Sequence, residues 1–190
     1  MIVGGNPPSF VVHTSHEKTR GSQGPRALIS SPSYQLARHD GRAVYAFTRP
    51  GDTPAQKFAT ALGAVWAGDT GERAPELLDA IIDTTPAWTP VVSALENLKP
   101  GGRLVINAIR KEDADKTALL ELDYHRHLWM EREIKSVANI TGSDIATFLP
   151  LAAAIPIHTE VEIYPLERAN DALVALKREP VRGAKVLRLR

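Results

Sequence analysis

The sequence predicts an α/β domain built on a parallel sheet. Three observations carry that expectation. From residue 34 onward, strand-like runs alternate with helix-like runs, the pattern of strands joined by crossover helices. The best of the strand-like runs, Ala43-Val44-Tyr45-Ala46-Phe47-Thr48, is too apolar to show one face to water, as befits a strand covered on both sides. Punctuation falls where such a chain needs it, with proline at helix starts and glycine at helix ends.

The elements follow in order. Residues 1–33 are rich in Gly, Pro and Ser, hold one short apolar run, Phe10-Val11-Val12, and read as an irregular segment. Residues 34–38 look like the end of a helix stopped by Asp40-Gly41, and residues 43–48 are the strand just described. Thr53 can cap a helix with Pro54 at its first position; Phe58, Ala59 and Leu62 form its inner face and Gly63 ends it. Ala64-Val65-Trp66 reads as a short strand and residues 79–83 as another, broken by Thr84-Thr85-Pro86. Thr89 and Pro90 open a helix whose Val91, Val92, Leu95 and Leu98 share one face, before Lys99-Pro100-Gly101-Gly102 turns the chain into a strand over 103–107. After a variable stretch, residues 134–138 read as a strand. Ser143 or Asp144 then caps a helix carrying Ile145, Phe148, Leu149 and Ala152, which Pro150 is expected to disturb. The close differs in character. Val161-Glu162-Ile163 alternates like an antiparallel strand, residues 166–176 form an amphipathic helix with Leu166, Ala169, Leu173 and Leu176 inward, and residues 185–189 are a last strand.

Composition narrows the function classes. The 190 residues suffice for one sizeable core with an appendage, and a net charge of +1 gives no field that would argue for nucleic acid or a membrane surface. There is no cysteine, which removes disulfides, thiolate catalysis and cysteine-based zinc sites from this chain. No apolar run approaches the roughly 20 residues that span a bilayer, and the N-terminus lacks a signal pattern, so a cytoplasmic address is expected.

Four stretches, taken in order, resemble the C-terminal half of the zinc-dependent medium-chain alcohol dehydrogenases. Leu36-Ala37-Arg38 through Val44-Tyr45-Ala46-Phe47-Thr48-Arg49 is similar to the first helix and second strand of their nucleotide fold, and Ala61-Leu62-Gly63-Ala64 to a recurrent helix-to-strand turn. Leu98-Lys99-Pro100-Gly101-Gly102-Arg103-Leu104-Val105 resembles the fifth strand and its approach. Most specific is Tyr164-Pro165-Leu166-Glu167-Arg168-Ala169-Asn170-Asp171-Ala172-Leu173, followed by Arg182-Gly183-Ala184-Lys185-Val186-Leu187. In the family this pair marks the return from the nucleotide domain to the catalytic one. The resemblance implies a Rossmann-like domain over 34–157, with residues 158–190 as a strand-helix-strand remnant of the catalytic domain. It further implies hydride transfer between NAD(P)(H) and an alcohol or aldehyde. The family's zinc ligands, its Gly-His-Glu motif and its Gly-x-Gly-x-x-Gly turn have no match here. A truncated oxidoreductase, inactive alone and without zinc, is therefore expected.

Within that frame the site residues can be placed. Gly21 and Gly24 read either as a degenerate phosphate turn or as an ordinary loop. Thr48 and Arg49 end the second strand, where an acidic residue would favour NAD and an arginine favours the 2′-phosphate of NADP. The expected cofactor is thus NADP, or else NAD. Thr84, Thr85 and Pro86, with Asn107, Ala108 and Ile109, follow the fourth and fifth strands and would line the nicotinamide pocket, since ligands lie beyond the carboxyl ends of such sheets. His13 and His16 form no convincing metal set, and His125 and His127 are expected on an exposed helix or loop.

Two other readings stand beside the dehydrogenase. One is a non-catalytic nucleotide-binding or dimerisation module. The other is an S-adenosylmethionine-dependent methyltransferase, because residues 98–105 also suit that family's fifth strand; an acidic second-strand end and a glycine-rich first motif are lacking for it. By resemblance to dimeric relatives, residues 134–140 are expected to pair with a second copy, with Ile134, Val137 and Ile140 mixed with Lys135 and Asn139.

Overall fold

Eight strands and five α-helices, with three shorter helical turns, are found among the described residues of a computed structural model of the chain, which describes residues 9–13, 31–155, 157, 159, 161–178 and 184–189. The strands are β1 (Ser9–His13), β2 (Ala43–Thr48), β3 (Trp66–Asp69), β4 (Leu78–Asp83), β5 (Leu98–Ile106), β6 (Glu133–Ser136), β7 (Val161–Pro165) and β8 (Ala184–Arg188). The helices are α1 (Ser31–His39), α2 (Thr53–Ala61), α3 (Thr89–Leu95), α4 (Gly142–Ala154) and α5 (Ala169–Arg178). The first six strands form one sheet in the order β3-β2-β1-β4-β5-β6, and every pairing in it is parallel. That is the doubly wound order of dinucleotide-binding folds.

Alternation along β2 shows how the two layers arise. Tyr45 and Phe47 point to one face, where they pack with Leu78, Ile81 and Leu104 of the sheet and with Val91, Ala94 and Leu95 of α3. Val44 and Ala46 point to the other, against Tyr34 and Ala37 of α1 and Ala59 of α2. A strand sandwiched this way has no solvent face, which is why the run is uniformly apolar. Small residues dominate the α1–α2 layer, so those helices sit close to the sheet.

Several expectations need correction. The segment 1–33 is not irregular throughout: Ser9–His13 is the central strand, bonded to β2 on one side and β4 on the other. Five residues suffice there because both edges of the strand are paired. The third strand starts at Trp66 rather than Ala64, since the Ala64 amide still closes the turn after α2 by donating to Ala59 O at 3.0 Å. Helix α3 stops at Leu95, so Leu98 reaches the core from β5, which begins five residues before the expected 103. Asp52, not Thr53, caps α2, its side chain accepting from Ala55 N at 3.1 Å.

At α4, Thr141 is the cap and Asp144 completes a capping box with it. The helix runs straight through Pro150. It buries none of its residues, so the Ala146 carbonyl left without an N–H partner can turn to water. Strands β7 and β8 pair in parallel rather than antiparallel, because a helix crosses between them. The inward face of α5 is Ala172 and Ala175; Leu166, Leu173 and Leu176 are 50%, 64% and 44% exposed. His127 does not decorate the surface. It is fully buried, its Nε2 3.4 Å from Glu96 Oε1, while His125 is exposed.

Candidate functional site

In this parallel sheet the chain runs from β1 out to β2 and β3 on one side, then crosses back to β4 on the other side of β1. Folds with this order take their ligands in a crevice beyond the carboxyl ends of β1 and β4, where the strand order reverses. Register puts His13, Phe47 and Asp83 side by side at that end, with Ile106 next to Asp83. The residues that follow these positions form the rim.

On the β2 side, Thr48 is 1% exposed and faces inward. Its Oγ1 accepts from Gln56 Nε2 at 3.2 Å and lies 3.3 Å from the carbonyls of Gly68 and Arg49, while its own carbonyl accepts from the Thr70 amide and hydroxyl. Thr48 thus locks the strand end to its neighbours and sets the direction of the next residue. Arg49 is half-buried and has no ion-pair partner among the described residues. Partial burial pulls its guanidinium below its ordinary value, against the opposing effect of Asp52. The nearby acids are otherwise engaged. Asp52 caps α2, and Asp69 accepts from Gly51 N at 3.0 and 3.1 Å and from Gln56 Nε2 at 2.8 Å.

On the β4–β5 side, Thr84, Thr85 and Pro86 meet the start of the post-β5 loop. Thr85 is buried; its amide donates to Asp83 Oδ1 at 3.1 Å and its hydroxyl to Ala87 O at 3.2 Å. Pro86 O accepts from the Glu112 amide at 2.7 Å, and the Asn107 amide donates to Asp83 O at 2.7 Å. Asn107 and Ile109 are exposed and Ala108 is half-buried, so this rim offers one amide side chain and an apolar group to a ligand. The two halves of the expected site therefore lie on one edge of the sheet, separated by β1. Gly21, Gly24 and His16 lie outside the described residues.

Two residues escaped the sequence reading. Asp83, fully buried at the end of β4, forms an ion pair with Lys111, whose Nζ also donates to Thr85 O at 2.9 Å and Ala87 O at 2.8 Å. An acid directly after the apolar run Ala80-Ile81-Ile82 was the visible signal; its partner, 28 residues away, had none.

Zinc can be tested against the residues present. The chain has no cysteine, and the described residues hold no group of three or more His, Asp or Glu side chains that could bind a metal. They do not fit the ion, and no step through it follows. Among the described residues, no helix is long and apolar enough to cross a membrane.

No family model matches the chain. Among curated proteins, it is 37% identical over 153 residues to a probable alcohol dehydrogenase AdhA of Mycobacterium tuberculosis, a match covering 80% of this chain and 42% of that one. It is 31% identical over 103 residues to an 18-hydroxynorfluorocurarine reductase from a Strychnos species, covering 54% and 26%. The chain thus spans less than half the length of the curated relatives it matches. Among solved structures, a thermostable alcohol dehydrogenase from Pyrobaculum aerophilum superposes with a TM-score of 0.66 at 20% identity, covering 97% of this chain and 51% of that one. The CAD of Helicobacter pylori, complexed with NADP(H), gives 0.63 at 16%, covering 94% and 48%. The shared fold, the order of the quoted stretches and the 37% relative converge: in sequence and fold the chain matches the C-terminal, nucleotide-binding half of the zinc-type medium-chain alcohol dehydrogenases.

Proposed function

We propose that this chain holds a nicotinamide dinucleotide, NADP(H) in preference to NAD(H), for an alcohol dehydrogenase-type oxidoreductase. The observation that carries the reading is Arg49, a half-buried cation just past the carboxyl end of β2, with no ion pair among the described residues; Asp52, whose charge it feels, is held as the cap of α2. In this fold that position meets the adenosine ribose, and an arginine accommodates a 2′-phosphate there. Thr48 is the positioning residue for Arg49. Thr84, Thr85 and Pro86, with Asn107, Ala108 and Ile109, form the wall on the side of the nicotinamide. When bound, the dinucleotide supplies the hydride; the chain's own work is to fix the two ends of the molecule and shield them from water. Alcohol or aldehyde is the substrate class of the whole enzyme. Without a zinc-ligand set among its described residues, the 190-residue chain is expected to turn over neither alone.

The domain division that goes with this reading is an N-terminal segment over 1–33 that contributes β1, a nucleotide domain over 34–157 and a remnant of the catalytic domain over 158–190. Two copies pair along the free edge of β6, through residues 134–140. Ile134, Val137 and Ile140 are 41%, 45% and 76% exposed there, which favours a partner over open solvent.

Fluorescence titration tests the cofactor assignment. NADPH should bind more tightly than NADH, and Arg49→Ala should remove most of the difference. One charge-assisted hydrogen bond contributes about 1.5–3 kcal/mol, or roughly ten- to a hundred-fold in affinity. Equal binding of both cofactors by the unaltered chain, or tighter NADH, would refute the preference.

A further inference from the structure

Lys111 stands at the centre of a seam between two loops. Its ammonium is saturated: three N–H groups meet the Asp83 carboxylate, Thr85 O and Ala87 O. It also lies 5.6 Å from the centre of the Trp88 ring, and its side chain is only 12% exposed. The neighbours of Lys111 repeat the connection. The Glu112 amide donates to Pro86 O at 2.7 Å, and the Asp115 carboxylate accepts from Trp88 N and Thr89 N at 2.8–3.0 Å. Residues 111–115 are thereby tied at three points to residues 83–89.

These are the loops that follow β4 and β5, the wall of the crevice on the nicotinamide side. A loop has no ladder of its own, and loops left free must be ordered at a cost in affinity when a ligand arrives. An ammonium buried against a carboxylate and two carbonyls removes that cost in advance. We propose that Lys111, through Asp83, is a positioning residue for the nicotinamide half of the dinucleotide: it fuses the two loops into one preassembled wall and has no part in holding the adenosine half. The proposal rests on the cofactor reading above.

The position of Lys111 makes a division of labour testable. The adenosine end belongs to Arg49 and β2, on the far side of β1. A fragment carrying only that end, 2′,5′-ADP, samples Arg49 without touching the Lys111 seam, whereas NADPH samples both. Titrating the full chain with each should show that Lys111→Met weakens NADPH while leaving 2′,5′-ADP within experimental scatter. If the loops then occupy the binding arrangement about a tenth of the time, NADPH affinity falls about tenfold. Lys111→Met leaves Asp83 buried without its counter-charge, which endangers the fold. The double variant Asp83→Asn with Lys111→Met removes both charges, keeps an oxygen for the Thr85 amide and should show the same split.

Four results overturn the proposal. Both ligands weakening together, in both variants, means that Lys111 holds the fold rather than the wall. Neither weakening means that the loops hold without it. If the unaltered chain binds 2′,5′-ADP but gains nothing with NADPH, the nicotinamide half has no site, and the Arg49 assignment survives alone. Binding of neither ligand removes the cofactor reading and this inference together.

Discussion

Replacing Asp115 by alanine strips the start of α3 of its acceptors. Trp88, at the cap position, offers no side-chain bond, and the service is supplied from 26–27 residues away by Asp115. Its carboxylate accepts from Trp88 N at 2.9 and 3.0 Å and from Thr89 N at 2.8 Å. Hydrogen bonds to charged groups contribute about 1.5–3 kcal/mol, and removal of a cap costs about 0.5–2 kcal/mol. Because the group is half-buried, the two figures meet near about 2 kcal/mol for the substitution. A domain of this size loses roughly 2–4 °C per kcal/mol, so Asp115→Ala should melt roughly 4–8 °C below the parent at neutral pH. The pH dependence has a definite sign. Burial alone would raise the carboxyl, but the Thr89 and Trp88 amides outweigh it, and its pKa lies below the ordinary value. A group depressed on folding contributes in full above its unfolded value, about 3.9, and loses that contribution as pH falls through the folded one. The gap between parent and Asp115→Ala, followed by thermal denaturation, should be widest at neutral pH and narrow below about pH 4. A gap that stays constant down to about pH 3 would refute the charge-assisted cap.

Two further predictions concern the turn after α2 and the sheet edge. Gly63 has φ +96°, and a Cβ there would strike the Arg38 guanidinium that donates to Leu62 O at 3.0 Å. Gly63→Ala should cost about 1–2 kcal/mol in urea denaturation, and an unchanged midpoint would show that the turn relaxes freely. For the β6 edge, Val137 N already donates inward to Ile106 O at 3.2 Å, so Ser136, one residue away, presents its amide to the open side. Ser136→Pro should therefore convert a dimer to a monomer in light scattering without loss of secondary structure; a dimer that survives it does not use this edge.

What the sequence disclosed followed from local pattern. Strand β2 was read to the residue because five apolar positions followed by Thr48 run unbroken between Gly41 and Gly51, which leaves Arg49 just past the strand end. The boundaries of α3 and β5 blurred because Leu98 satisfies a helical period and a buried strand position equally well. Strand β1 was passed over because Phe10-Val11-Val12 is short, and what makes it a strand is two ladders supplied from residues 43–47 and 80–83. The Lys111 seam was illegible for a related reason. No periodicity links position 83 to position 111; the pairing exists only once the ends of β4 and β5 have been brought together. The exposure of Leu173 and Leu176 reversed an amphipathic reading, because alanines rather than leucines let α5 lie close against its two strands.

The central place of β1 has a kinetic consequence. Strands β2 and β3 can pair with each other, and β4, β5 and β6 can pair among themselves, without any help from the N-terminal segment. Nothing in the sheet joins those two groups except β1, which has no partner until at least one of them exists. Its ladders close the largest loops in the sheet, and such contacts are slow to form because chain entropy is lost before they are gained. The first strand in the chain is thus cast as the last seam to be sewn. Until it closes, the crevice between β1 and β4 does not exist, so cofactor affinity should emerge late in refolding, after most of the secondary structure is already in place.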